Sequence, residues 1–136
     1  MFICRKRSNV GFMTQLHATA IVLAGAGVLI RGPSGSGKSD LALHLIDGGA
    51  TLIADDRVEI KLVDGKLHLS APLTIQGLLE VRGIGVVDID AAQNIPLCLI
   101  ADLKSSSEIE RMPVAKVERI DGNAIPVIDI DPFELS

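Results

Sequence analysis

Gly27-Val28-Leu29-Ile30-Arg31-Gly32-Pro33-Ser34-Gly35-Ser36-Gly37-Lys38-Ser39 is the stretch that decides the fold. Gly27 to Ile30 is short, apolar and β-branched, which predicts a fully buried strand. Gly32 to Ser39 fits G-x-x-x-x-G-K-[ST] without a mismatch. Lys38 to Asp47 then reads as a helix, with Leu41, Ala42, Leu45 and Ile46 recurring on one face and Gly48-Gly49 as the stop. Phosphate binding needs this order. Glycines let successive backbone N–H groups converge on one anion, and the helix N-terminus adds a favourable dipole. Gly32, Pro33, Ser34, Gly35, Ser36, Gly37, Lys38 and Ser39 are therefore the candidate nucleotide-binding residues. Lys38 would meet the β- and γ-phosphates, and Ser39 would ligate Mg²⁺ through its hydroxyl.

Outward from the loop, the next strand, Thr51 to Ala54, runs into Asp55-Asp56. Strand C-termini share the edge where the loop lies, so these carboxylates should face the phosphates. One can hold Mg²⁺ and the other can take a proton from an attacking hydroxyl; a turn with exposed acids is the plainer alternative. Residues 57–62 alternate strictly, and Asp64-Gly65 marks a hairpin with Leu62 opposite Leu67 and Ile60 opposite Leu69. Glu80 and Arg82 stand two apart in an expected strand, ~7 Å from each other on one face. Glu80 could be a metal ligand and Arg82 could stabilise transferring phosphate charge, or both could belong to a solvated face. A second hairpin is expected around Asp121-Gly122-Asn123.

Upstream, the apolar run Ala18 to Ile30 predicts a strand pair leading into the loop. His17 begins it and could return to the site on a neighbouring strand, or sit at a surface strand end. His44 and His68 are expected to face solvent. Arg5-Lys6-Arg7 before an apolar run imitates a signal peptide, but ten mostly polar residues intervene and the run feeds the loop directly. Residues 1–12 are expected to be an extension and residues 13–136 one domain.

The chain has 136 residues, 48% hydrophobic and 22% charged, enough for one core. Its net charge of −4, with 2% aromatic residues and neither Trp nor Tyr, argues against a nucleic-acid surface. No apolar run reaches the ~18 residues of a membrane span. Cys4 and Cys98 lack metal or disulfide spacing, which suits a reducing, cytoplasmic setting. The expected class is α/β: a single P-loop domain with a strand-rich mixed sheet.

The segments GPSGSGKSDLALHLI, LIADDRVEI and LLEVRGIGVVDI, in this order and spacing, resemble the catalytic domain of HPr kinase/phosphorylase. The likeness is close over His17 to Asp88 and weak beyond. It implies a fold akin to phosphoenolpyruvate carboxykinase, and an ATP- and Mg²⁺-dependent transfer to a serine of HPr, a phosphocarrier protein. It also implies that inorganic phosphate can reverse the reaction, and that the protein is a homo-oligomer. Carried over residue by residue, His17 takes the place of the active-site histidine, Asp55 of the base, and Asp56 of the second acid near the metal. Glu80 matches a metal-site acid, Arg82 the arginine beside it, and Arg111 a later catalytic arginine by a short pattern. The chain resembles a shortened form of the family, without its N-terminal domain and C-terminal extension. A kinase of another protein or a small molecule, and a nucleotide-sensing module without transfer, are the alternatives. His17, Asp55, Glu80 and Arg82 beside an intact loop favour an enzyme.

Overall fold

The computed structural model describes residues 10–105, 107, 109 and 116–132. Among these, the strands are β1 (Val10–Leu16), β2 (Thr19–Leu23), β3 (Ala26–Arg31), β4 (Thr51–Ala54), β5 (Val58–Val63) and β6 (Lys66–Ser70). They continue with β7 (Leu78–Val81), β8 (Gly85–Asp88), β9 (Ile95–Leu103), β10 (Lys116–Ile120) and β11 (Asn123–Ile130). Helix α1 (Lys38–Asp47) follows the glycine-rich loop. The main sheet runs β1-β5-β6-β9-β3-β2-β4, with β11 on β9 and β10 on β11; β7 and β8 form a separate hairpin. This is the strand-rich mixed sheet expected, with α1 where the apolar spacing put it.

Strand direction matters most for the site. β3 runs parallel to β9, and β9 parallel to β11. β2 pairs antiparallel with both β3 and β4, so β4 points the same way as β3 with β2 reversed between them. The start of β2 therefore lies at the same edge as the ends of β3 and β4, and the loop, His17 and Asp55 reach one edge.

Both faces of this central sheet are covered, as its near-continuous apolar strands require. On one side, Ile21, Val28, Ile30, Ala101 and Leu103 pack with Leu41 and Ala42 of α1. On the other, Ala20, Leu29, Ile53 and Ile100 pack with Val58 and Ile60 of β5 and Leu67 and Leu69 of β6. Each fully buried Ile or Leu contributes roughly 1.5–3 kcal/mol, so α1 and the β5–β6 hairpin are held by these two layers. The hairpin register is as expected: Leu62 opposite Leu67 and Ile60 opposite Leu69. Its turn uses positive φ at Asp64 (52°) and Gly65 (79°), the backbone that two-residue hairpin turns favour.

A charged clamp holds the strand that carries the loop. Arg31, the residue before Gly32, donates to both carboxylate oxygens of Asp102 on β9 (2.7 and 2.9 Å). It also donates to both of Glu118 on β10 (3.0 and 2.9 Å). These bonds, first to Asp102 and then to Glu118, hold the guanidinium even more firmly protonated than usual. The end of β3 is thus tied to two further strands.

Two expectations change. β1 begins at Val10, inside the stretch expected as an extension, and pairs with β5 from Val10 opposite Val63 to Leu16 opposite Val58. Arg82 lies in the turn between β7 and β8 and not in the strand, because Val81 already pairs with Gly85. β9, from Ile95 to Leu103, takes the charged Asp102 into the sheet because it meets Arg31 there. Residues 1–9 of the expected extension lie outside the described residues. No described helix is long and apolar enough to cross a membrane.

Candidate active site

Local sequence builds the loop. Gly35 (φ 80°) and Gly37 (φ 99°) adopt left-handed backbone that L side chains rarely take. Gly37 is the N-cap of α1 and supplies no side-chain hydrogen bond, so the first amides of the helix have no capping side chain. Lys38, 9% exposed, folds back to donate to Gly32 O (2.8 Å) and Pro33 O (3.1 Å). Neither acceptor carries charge, so the ammonium remains an unneutralised cation at the loop.

Asp55, at the end of β4, is buried and accepts three hydrogen bonds. Ser39 Oγ (2.6 Å) and Thr19 Oγ1 (3.1 Å) donate to Oδ1, and the Glu80 backbone N–H (3.1 Å) donates to Oδ2. One carboxylate thereby joins the loop, β2 and β7. Asp56 behaves differently because its φ of 74° is left-handed, a conformation that aspartate tolerates better than most residues. The Arg57 N–H bonds back to Asp55 O (2.9 Å) across the bend. The Asp56 side chain is 63% exposed and its Oδ1 lies 3.5 Å from His17 Nδ1.

A cleft of about 220 Å³ gathers these groups; His17, Asp56, Glu80 and Arg82 line it opposite Ser34, Gly35, Gly37, Lys38 and Ser39 of the loop. Arg82 pairs with Asp40 in the first turn of α1 (3.3 Å), and is itself largely exposed. A second opening, of about 470 Å³, adjoins it at Asp56 and Glu80 and is walled by Ile75, Leu78 and Val86.

Of the candidate residues, His17, Lys38, Ser39, Asp55, Asp56, Glu80 and Arg82 meet at this one edge. Arg111 lies outside the described residues. The two aspartates differ in their surroundings. Both Asp55 oxygens are engaged, one of them by the hydroxyl that would ligate a metal, whereas Asp56 faces the cleft beside a histidine. His44 is exposed as expected; His68 is half-buried, its Nδ1 3.2 Å from Lys66 O. Two participants escaped the sequence reading. Thr19, fully buried, is a hydroxyl two residues past His17 in an apolar strand, which was the available signal. Asp40 directly follows the loop motif.

The donor set fits a magnesium ion of the P-loop kind. Ser39 Oγ is already held by Asp55, and Glu80 opens onto the same cleft. No group of three or more His, Cys, Asp or Glu side chains converges on one point among the described residues. Mg²⁺ at such sites takes most of its ligands from phosphate and water, so one or two protein ligands suffice.

One loop atom is unsatisfied. Ser36 Oγ is buried without a hydrogen-bond partner, beside Gly32, where a built Cβ would lie 2.6 Å from it. A buried hydroxyl left unpaired costs about 1–3 kcal/mol. Ser36→Ala is therefore expected to raise the melting temperature, read by thermal unfolding without nucleotide. A lowered melting temperature would show that the hydroxyl has a partner in solution.

Comparison with known proteins follows the same residues. Residues 9–95 match the family model of the HPr serine kinase C-terminal domain, a span that contains every residue lining the first cleft. An HPr kinase/phosphorylase from Clostridium tetani is 45% identical over 92 residues, covering 68% of this chain but 30% of that protein. One from Clostridium kluyveri is 47% identical over 78 residues, covering 57% of this chain and 25% of that protein. The chain thus spans under a third of the length of these relatives. The solved Hpr(Ser) kinase/phosphatase of Coxiella burnetii superposes with a TM-score of 0.80 at 28% identity, over 87% of this chain and 79% of that one.

Proposed function

This chain belongs to the HPr serine kinase C-terminal domain family, and from that premise we propose that it transfers the terminal phosphoryl group of ATP to a serine of an HPr-type phosphocarrier protein in the cytoplasm. The observation that carries the reading is the three-way bond of Asp55. It fixes Ser39 of the loop, the β2 end beside His17 and the β7 strand of Glu80 around one cleft.

The residues divide the work as follows. The loop amides and Lys38 hold the β- and γ-phosphates. Ser39, kept in place by Asp55, and Glu80 would hold Mg²⁺, which when bound offsets charge on the phosphate oxygens. The acceptor hydroxyl enters through the opening beyond Asp56. Asp56 takes the hydroxyl proton as the serine oxygen bonds to the γ-phosphorus and the bond to the β–γ bridging oxygen breaks, releasing ADP. His17, 3.5 Å away, steadies the Asp56 carboxylate, and Arg82 supplies positive charge at the cleft rim. The relatives' name includes a phosphorylase. In that direction inorganic phosphate would attack the phosphoserine and Asp56 would return the proton, giving pyrophosphate. Self-association belongs to the same reading.

The test is a transfer assay with γ-labelled ATP and Mg²⁺ on a purified HPr-type protein and on its acceptor-serine-to-alanine variant. Label on the first and none on the second is expected. Tight ATP binding with no label on either would favour a nucleotide sensor instead.

A further inference from the structure

We propose that the nucleobase of the bound nucleoside triphosphate lies on the opposite flank of the loop, in an apolar slot between the ends of β9 and β11. This rests on the reading that the loop binds a nucleoside triphosphate. The terminal phosphate has its place set by Ser39 and Asp55 on the β4 side. A triphosphate held across the loop must then send its nucleoside away from β4, towards β9 and β11. In open sheets the ligand crevice lies outside the carboxyl ends of the parallel strands, and β3, β9 and β11 are the parallel set here.

A slot of about 200 Å³ stands at that position. Pro33, Leu103 and Pro132 give it apolar walls, and Lys104, Ser105 and Asp131 give it a polar rim. Apolar faces with a few polar groups at the edge suit a planar heterocycle, which presents apolar faces and hydrogen-bonding edges. The slot is also preformed. The Lys104 N–H donates to Ile130 O (2.9 Å), continuing the β9–β11 ladder past Leu103 opposite Ile130. Lys104 Nζ lies 3.5 Å from Asp129. The opening on the other flank adjoins Asp56 and Glu80, which is where the acceptor must come.

The experiment compares Mg²⁺-ATP with Mg²⁺-tripolyphosphate, which lacks base and sugar, by calorimetry on the full chain. ATP should bind at least about tenfold more tightly than tripolyphosphate, and Ser105→Trp, which fills the slot from its exposed rim, should remove that advantage. Tripolyphosphate affinity should be unchanged by the substitution. Pro132→Trp tests the same slot from the other wall should the first variant not fold. Photolabelling with 8-azido-ATP should mark residues 103–105 or 131–132. Equal affinity for the two ligands, or label at residues 72–86, overturns the inference while leaving the phosphate site standing. If neither ligand binds, both are overturned.

Discussion

Lys38→Ala is expected to lower phosphoryl transfer by about 10²–10³-fold, the loss seen when one preorganised charge-stabilising donor is removed. Lys38 is 9% exposed, and its ammonium donates to the carbonyls of Gly32 and Pro33. Those neutral acceptors hold it in place without cancelling its charge, and no other cation lies among the residues of the loop. Losing the two hydrogen bonds costs on the order of 1–3 kcal/mol, so the variant should melt somewhat earlier but still fold. Circular dichroism checks the fold, and calorimetry with Mg²⁺-ATP checks binding. Undiminished affinity and turnover in a folded Lys38→Ala protein would overturn the phosphate-binding role of the loop.

The paired aspartates should separate by readout. Asp56→Asn keeps the shape of a residue that faces the cleft but cannot accept the acceptor proton. Transfer should drop by about 10²–10⁴-fold, with ATP affinity and melting temperature close to those of the parent. Asp55→Asn removes the negative charge on which three donors converge; its oxygen can keep the Glu80 N–H, but the Ser39 and Thr19 hydroxyls must turn to accept from its NH₂. Hydrogen bonds to a charged acceptor are worth about 1.5–3 kcal/mol each, against about 1 for neutral ones. Lower melting temperature and weaker Mg²⁺-dependent nucleotide binding should follow. If Asp55→Asn instead folds and binds normally yet fails to transfer, while Asp56→Asn remains active, Asp55 is the base after all.

What was readable in the sequence was local. The loop motif, the limits of α1 and the Asp64-Gly65 hairpin each rest on signals a few residues apart, and each lies where the signals put it. What was not readable was long-range or conformational. The pairing of β1 with β5 joins residues some fifty positions apart, and nothing near Val10 announces it. Thr19 and Asp55 are joined across 36 positions by a reversed strand whose place in the sheet no local pattern reveals. The different surroundings of Asp55 and Asp56 turn on one backbone angle, the left-handed φ of Asp56, which adjacent identical residues cannot disclose. The Glu80–Arg82 spacing correctly put both beside the cleft, although a turn, and not a strand, carries the arginine.

β9 is bonded to β3 along one edge, while its other edge is shared by β6 at Ile95-Pro96 and β11 from Ile100 onward. No neighbour can detach without stripping part of its ladder, so β9 has no cheap partial opening. In hydrogen-exchange language its amides belong to the last cooperative unit to unfold, and β3, with the loop at its end, belongs to the same unit. The site is thus mounted on the slowest-breathing part of the protein. The β7–β8 hairpin pairs with no third strand and is tied to the cradle through the Glu80 N–H on Asp55 and the Arg82–Asp40 pair, so its fluctuations at the rim are felt at the phosphate site.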